Sequence, residues 1–339
     1  MAQKDYSQQV HSIDFVVHPT YKPLPLRTDL YLTARFPQRS RNQLQKLFKE
    51  KRVLVNGATV SASHKLRGGE EVQVLLPEDM EYIPPDAIDL SILYEDEDIL
   101  VVNKAPNIMM HPAGAILSGT LLNAIHHYYE KKGDPTRPGL LQRLDKHTSG
   151  LLVVAKNHQA HQGMQEQITT HSLDKIYFAV CDGIPKEKEG FVEAPMGEVS
   201  HPFRKKMGVY EGGDSKEAKT QYVVLHSTNE MSLLGVKLHT GRQHQIRVHM
   251  AHIGHPLRGD DLYGGCPSFS RQALHSYYLG FKHPCSGKEM NLNAPLPRDL
   301  QELIRPSLEG LGSNKHKLDI HCIDQPWNPR IWLDSLHSS

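Results

Sequence analysis

Three short stretches of this sequence hold residue types that do chemistry together. The first runs from Gly139 to Gly150 and places Arg143, Asp145 and Lys146 ahead of the apolar run LLVVA. A carboxylate between two cations, in a polar turn before a buried strand, suits work as a nucleophile or base, because flanking positive charge keeps it ionised. Asp145 also reads as a turn cap acting through Thr148 and Ser149. The second stretch is Asp174 to Val180 (DKIYFAV). Strand alternation puts Ile176, Phe178 and Val180 on an apolar face and Tyr177 opposite, with Lys175 and Ala179. A tyrosine there either stacks on a planar ligand or sits at the surface as an amphipathic residue.

The third stretch spans Thr240 to Pro256. Thr240 with Gln243 forms a capping-box pattern, and Gly254 and Pro256 are stop signals, so a helix is expected between them. Ile246, Met250 and Ile253 give its buried stripe, and Gln243 and Arg247 share a face one turn apart. The planar fork of Arg247 suits a carboxylate, and the amino end, with Gly241 and Arg242, suits a phosphate. His249, His252 and His255 follow one another at three-residue steps, with His244 near. Helical two-histidine metal sites prefer a four-residue step and a nearby carboxylate, so no metal is expected.

The elements that must position these residues fall into two units. In the first, Ser40 and Gln43 form a capping-box pattern ahead of RNQLQKLFKE, whose Leu44, Leu47 and Phe48 line one side. That leaves Arg41, Lys46 and Lys49 for solvent or a ligand. Val53 to Val55, Asn56-Gly57 and Ala58 to Val60 predict a hairpin, and EEVQVLL a further strand ending at Pro77. PEDMEYIPPDAID, with three prolines, reads as a linker. Beyond it come the apolar runs ILVV, GLLVVA, IYFAV, YVVL and LLGVKL, with helical stretches only after Asn157 and Thr240. Strands outnumber helices, so a mixed, largely antiparallel α+β domain is expected rather than a doubly wound one. The plan is an extension over residues 1–26, a basic unit over 27–77, a linker over 78–90, a main domain over 91–305 and a tail over 306–339 with no assigned role.

Composition sets the class. The segment from Arg27 to Arg67 holds ten Lys/Arg against two acidic residues, a charge of +8, and the rest of the chain carries −7. A compact basic segment on an acidic body fits a polyanion-binding module, and equally a solvated charged face. Four cysteines without CxxC spacing signal neither zinc nor a disulfide framework. No apolar run approaches the ~18 residues of a membrane span, and the N-terminus lacks a signal-peptide pattern. A cytoplasmic protein with reduced thiols, monomeric and away from membranes, is the expectation.

Taken together, GLLQRLDKHTSGLLVVAKN, DKIYFAV, TGRQHQIRVHMAHIGHP and ILYEDEDILVVNK resemble the RluA/RluD-type pseudouridine synthases in order and spacing. The basic unit resembles the S4 RNA-binding domain that precedes the catalytic domain in many members. The resemblance implies a cofactor-free isomerase acting on RNA: large-subunit ribosomal RNA first, tRNA as the alternative, and a noncatalytic S4-containing RNA-binding protein as the remote one. It implies Asp145 as catalytic carboxylate, Tyr177 as the tyrosine that stacks on uracil and takes part in proton removal at C5, and Arg247 as the partner of the aspartate. Arg143 would enter the RNA as the base flips out. Arg242, with Arg41, Lys46, Lys49 and Arg52 of the basic unit, would contact RNA. Gln142, His147 and Ala105 depart from the commonest family pattern without replacing any of these groups. The reaction breaks the C1′–N1 bond, turns the base and joins C1′ to C5, so substrate and product hold the same atoms. A glycosidase needs a second carboxylate to activate water; here water must be kept out, and a single aspartate suffices.

Overall fold

A computed structural model describes residues 10–17, 25–36, 41–77, 85–112, 116, 118–133, 139–200 and 206–309. In the first unit, β1 (Val10–Val16), β3 (Val53–Val55), β4 (Ala58–Thr59) and β6 (Glu71–Pro77) form an antiparallel sheet in the order β1-β6-β3-β4, and β2 (Leu26–Arg27) pairs with β5 (Lys65–Leu66). Helices α1 (Thr28–Arg35) and α2 (Arg41–Lys49) supply Tyr31, Leu32, Leu44, Leu47 and Phe48 to a core shared with Val53, Val55, Val72 and Val74. Each such fully buried side chain is worth about 1.5–3 kcal/mol. The β3–β4 turn has Asn56 at φ 49° and Gly57 at φ 79°. Positive φ at both central residues matches the strand twist, which is why Asn-Gly stands there. The Ser40 cap lies outside the described residues.

The unit begins earlier than residue 27. β1 pairs with β6 along its length, from Val10 against Pro77 to Val16 against Glu71, and Phe15 stacks on Tyr31. The segment expected to be an extension therefore covers the β6 edge, whose backbone groups would otherwise lack partners.

The second unit is built on ten strands: β7 (Ser91–Glu95), β8 (Ile99–Lys104), β9 (Gly139–Leu140), β10 (Ser149–Ala155), β11 (Asp174–Asp182), β12 (Glu189–Glu193), β15 (Lys219–Ser227), β16 (Met231–Leu238), β17 (Leu274–Lys282) and β18 (Glu289–Asn293). A separate pair is made by β13 (Met196–Val199) and β14 (Lys206–Val209). The main order is β12-β15-β16-β11-β17-β10-β8-β7, with β18 on β17 and β9 on β10. Among the pairings between these strands only β10 with β17 is parallel, through Ser149–His275 and Gly150–Ser276.

Both faces of this sheet are covered, which explains the unbroken apolar runs. Leu152 and Val154 of β10 share one core with Tyr177 and Ala179 of β11, Leu121, Ile125 and Tyr129 of α3 (Leu121–Lys131), and Ile246 and Met250 of α5 (Gln245–His252). On the other face Leu151 and Val153 pack with Ala160 and Met164 of α4 (His158–Thr169). Ile176, Phe178 and Val180 pack with Leu300 and Ile304 of α6 (Arg298–Glu309). The alternation expected around Tyr177 is present, but its face is core and not surface. Helix α6 also runs past the boundary expected at 305. Residues from 310 onward, with Trp327 and Trp332, lie outside the described residues. Among the described residues no helix is long and apolar enough to cross a membrane.

Gly150 sits where β10 meets β17, at φ +114°, and a Cβ there would lie 2.2 Å from the Ser276 carbonyl oxygen. Gly150→Ala is expected to cost about 3 kcal/mol or more, from strain and backbone displacement together, lowering Tm by roughly 6–12 °C. A melting curve overlying the wild type would show that the strand junction can relax around a side chain.

Candidate active site

Asp145 stands in the turn entering β10, and the carbonyls of that turn are bound one after another. The Thr148 N–H donates to the Asp145 carbonyl (3.1 Å). Lys104 Nζ donates to the Lys146 carbonyl (3.1 Å), and also to Ala105 (2.9 Å) and Ile108 (3.0 Å). Arg271 Nη1 donates to the His147 carbonyl (2.9 Å), while its Nε and Nη2 grip Asp299 at 2.7 and 3.0 Å. Both cationic side chains are buried. The turn is thus fixed by backbone and by buried cations, and not by the Asp145 carboxylate. Ser149 Oγ bonds His275 Nδ1 (2.9 Å), and Thr148 Oγ1 accepts from Gln272 Nε2 (3.3 Å). The turn-cap reading of Asp145 is therefore replaced, and the carboxylate is left for other work.

Its partner is Arg247. This buried guanidinium directs Nε and Nη2 at the two oxygens of the fully buried Asp260 (2.7 and 2.8 Å) and Nη1 at Asp145 Oδ2 (3.0 Å). Despite burial, the two carboxylates raise its pKa above the ordinary arginine value. Tyr263 lies against it, 5.0 Å from ring centroid to guanidinium carbon. The fork on Asp260 sets the plane of the guanidinium, so a single bond remains for Asp145. One oxygen of Asp145 is anchored and the other, Oδ1, is not held by Arg247.

Helix α5 carries Arg247 but starts later than its sequence suggests. Thr240 Oγ1 and the Arg242 N–H both donate to Gln245 Oε1 (2.8 and 2.9 Å), and Gln245 Nε2 donates to the Lys219 carbonyl and Thr220 Oγ1 (3.0 and 2.9 Å). The expected Thr240/Gln243 capping box does not form, because Gln245 binds the turn to β15 instead. Gln243 is exposed and outside the helix, so it does not share a face with Arg247. The residue before the helix is His244, at φ 59°, with Nδ1 3.0 Å from the Tyr263 hydroxyl and Nε2 3.7 Å from Asp145 Oδ1.

Tyr177 is buried, hydrogen-bonded to Ser276 and within the field of Asp145; burial pushes its hydroxyl up to about 12. It is a neutral phenol at neutral pH. The other histidines are engaged separately. His249 is buried between Thr220 Oγ1 and the Ala194 carbonyl, His255 meets the Asp182 carbonyl, and His252 is exposed. Arg143 is exposed beside the turn, and Arg242 Nε donates to the Glu217 carbonyl (3.0 Å). In the basic unit the cations are less free than expected. Arg41 lies 3.8 Å from Asp29, and Glu50 takes both Lys46 (3.6 Å) and Arg52 (3.1 Å), while Lys49 is exposed. Of the three departures from the family pattern, His147 Nδ1 meets Asn107 Oδ1 (2.6 Å), the Ala105 carbonyl serves Lys104, and Gln142 is buried.

Sequence reasoning brings Asp145, Tyr177 and Arg247 to one place and misses Lys104, His244, Asp260, Tyr263 and Arg271. The histidine spacing raises His244 only as a metal ligand, and Lys104 lies in a motif that gives it no role. Asp260 and Arg271 act through contacts that their neighbours in the chain do not announce.

Residues 98–252 match the family model "RNA pseudouridylate synthase", and residues 27–72 match the S4 domain. An uncharacterised RNA pseudouridine synthase of Bacillus subtilis is 41% identical over 284 residues, 82% of this chain and 93% of the relative. The ribosomal large subunit pseudouridine synthase D of Escherichia coli K12 is 38% identical over 312 residues, 86% of this chain and 94% of the relative. Among solved structures, human RNA pseudouridylate synthase domain containing 1 superposes with TM-score 0.52 at 25% identity, covering 67% of this chain and 98% of that one. The chain belongs to the RNA pseudouridine synthases of the RluA/RluD type and is an isomerase with an N-terminal S4 domain.

Burial, with the Arg271 guanidinium, draws Lys104 down to about 7 against the opposing pull of Asp145. Between that value and its ordinary 10.5, the unfolded chain holds a proton on this lysine that the folded chain has released, so its contribution to stability rises with pH. Lys104→Met removes that dependence. The Tm of the wild type should therefore gain on that of the variant as pH climbs from about 7.5 to about 9.5; parallel curves would show that Lys104 keeps its ordinary pKa.

Proposed function

We propose that this enzyme isomerises a uridine of large-subunit ribosomal RNA in the cytoplasm, as a monomer and without a cofactor, with Asp145 as the reacting carboxylate. One observation carries the reading: Arg247 holds Oδ2 of Asp145 at 3.0 Å and leaves Oδ1 unclaimed by the same fork. Oδ1 then either attacks C1′ or removes a sugar proton. The C1′–N1 bond breaks, the uracil turns in place, C1′ bonds to C5, and the proton leaving C5 is balanced by one gained at N1. A stacked uridine is out of reach, so the nucleotide is extruded, with exposed Arg143 entering the space it leaves. The Tyr177 ring supports the base. Its hydroxyl stays a neutral phenol, and Ser276, whose own proton goes to the Leu151 carbonyl, offers it no onward relay, so the part assigned to Tyr177 is that of its ring. The ribosomal target is favoured by the similarity to the E. coli large-subunit enzyme. Mapping pseudouridines in all cellular RNA with and without the gene tests it: loss of a large-subunit ribosomal site supports the reading, and loss of a tRNA site alone overturns it.

Asp145→Asn is expected to abolish conversion while leaving RNA affinity and Tm near wild type. The amide keeps the size and the bond to Arg247 Nη1 but lacks the charge that a nucleophile or base needs. Tritium at C5 of the target uridine is released only when C5 bonds to the sugar. Single-turnover release within a few-fold of wild type would remove Asp145 from the chemistry.

For the basic unit, Lys46→Ala, Lys49→Ala and Arg52→Ala together should weaken RNA binding and flatten the plot of log K against log salt. The slope should fall by roughly 0.7–0.9 for each phosphate that the variant no longer neutralises. An unchanged slope would mean that these cations do not meet the RNA. The weakening should fall on all sequences alike, because phosphate contacts carry affinity and no sequence information.

A further inference from the structure

Beside Asp145 stands a second acceptor that the isomerisation, as described, does not use. The Tyr263 hydroxyl donates its single proton to the Met207 carbonyl (3.0 Å). Its oxygen can therefore only accept from His244 Nδ1, 3.0 Å away, which puts the imidazole hydrogen on Nδ1 and leaves Nε2 as a lone pair. Nε2 is 3.7 Å from Asp145 Oδ1, and the two side chains are 16% and 25% exposed, so both are reachable. That separation is too long for a hydrogen bond. Two acceptors thus face one gap with no donor between them.

The backbone gives an independent sign. His244 precedes α5 in the left-handed region, φ 59° and ψ 19°, yet its side chain caps nothing. Such a conformation is strained for a non-glycine residue. What it achieves here is the aim of the ring, Nδ1 to Tyr263 and Nε2 to the gap. Burial, helped by Arg247 and Arg143 and opposed by Asp145 and Asp260, holds the ring below its ordinary pKa, so the neutral form with its lone pair is the resting one.

We propose that His244 reads the ribose of the target nucleotide, its Nε2 accepting a hydrogen bond from the 2′-hydroxyl while Asp145 Oδ1 works at the sugar. The inference rests on Asp145 being the reacting carboxylate. Within an RNA chain the 3′ and 5′ oxygens of the target are tied to phosphates, so its donors near the reacting carbon are the 2′-hydroxyl and N3–H. O2′ is two bonds from C1′ and N3 is three, across the base. An acceptor 3.7 Å from the attacking oxygen therefore meets the hydroxyl. The 2′-hydroxyl is also what distinguishes RNA from DNA at a given site, so His244 would make the active site itself selective for ribose.

The test uses a stem-loop RNA carrying the uridine found by mapping, and the same stem-loop with 2′-deoxyuridine at that one position. His244→Asn is the variant, because asparagine tolerates the left-handed backbone and its shorter side chain leaves the place of Nε2 empty; a melting curve checks its fold. Single-turnover rates of the wild type should favour the ribose substrate by about tenfold or more, the loss expected from one unpaired polar group. The variant should lose a similar factor on ribose and little on deoxyribose, so that its preference falls by about tenfold. A wild type without preference, or a variant that keeps it, overturns the role. So does a variant slowed equally on both substrates, which would mean that His244 only positions Asp145. Activity of Asp145→Asn on the ribose stem-loop would instead overturn the reading underneath.

Discussion

The N–H donors of a buried guanidinium need acceptors, and at Arg247 two carboxylates from different parts of the chain take three of the five. Asp260, fully buried and 13 residues away, takes the fork; Asp145, 102 residues away, takes the remaining nitrogen. The asymmetry matters. A bidentate pair fixes the plane of the guanidinium, so Asp260 decides where Nη1 points, and Nη1 decides where Asp145 stands. Removing Asp260, the fully buried partner, would strip the guanidinium of its fork, typically a loss of about 3–5 kcal/mol. Asp260 is fully buried, yet through Arg247 it sets where the Asp145 carboxylate stands.

A carboxylate held at one oxygen is only as well placed as the backbone that carries it. The three carbonyls from Asp145 to His147 are bound by the Thr148 N–H, Lys104 and Arg271 in turn. Arg271 extends the connection to Asp299 at the start of α6, and Lys104 to the loop after β8. Behind the turn, Gly150 lets β10 lie against β17 where the sheet has its parallel pairing. The exception in an otherwise antiparallel sheet thus lies just past the turn that carries Asp145. A close backbone contact on one side and two buried cations on the other leave the turn little freedom.

Much of this is legible in the sequence, and the parts that are not share a cause. The hairpin at Asn56-Gly57, the buried stripe of α2 and the stop at Gly254 are set by neighbours in the chain, and local rules find them. Alternation correctly divides Ile176 and Phe178 from Tyr177, but whether the second face meets water depends on α3 and α5, which pack onto it from far along the chain. The start of α5 shows the same limit. Thr240 and Gln243 have the right spacing for a capping box, yet Gln245 satisfies Lys219 and Thr220 of β15 as well as the turn, and its hydrogen bonds together outweigh a local motif worth about 1 kcal/mol. Asp260 and Arg271 carry no local signature at all. The N-terminal strand escapes notice for a related reason, since a strand at the start of a unit is recognised only once its partner, β6, is in place.

The two units then divide the work along a physical line. In the basic unit Glu50 already occupies two of the cations, Lys46 and Arg52, and Asp29 lies beside Arg41. Surface pairs of this kind are worth about 0–1 kcal/mol, so phosphates can displace them readily, and what they offer RNA is charge without sequence. Discrimination must then arise where desolvation makes each unpaired group expensive. That condition holds around Asp145, where Arg247 and Tyr177 are buried. A weakly selective grip and a strict cleft suit an RNA pseudouridine synthase, because a tight sequence-independent hold would slow the search for a target as much as it helped the capture.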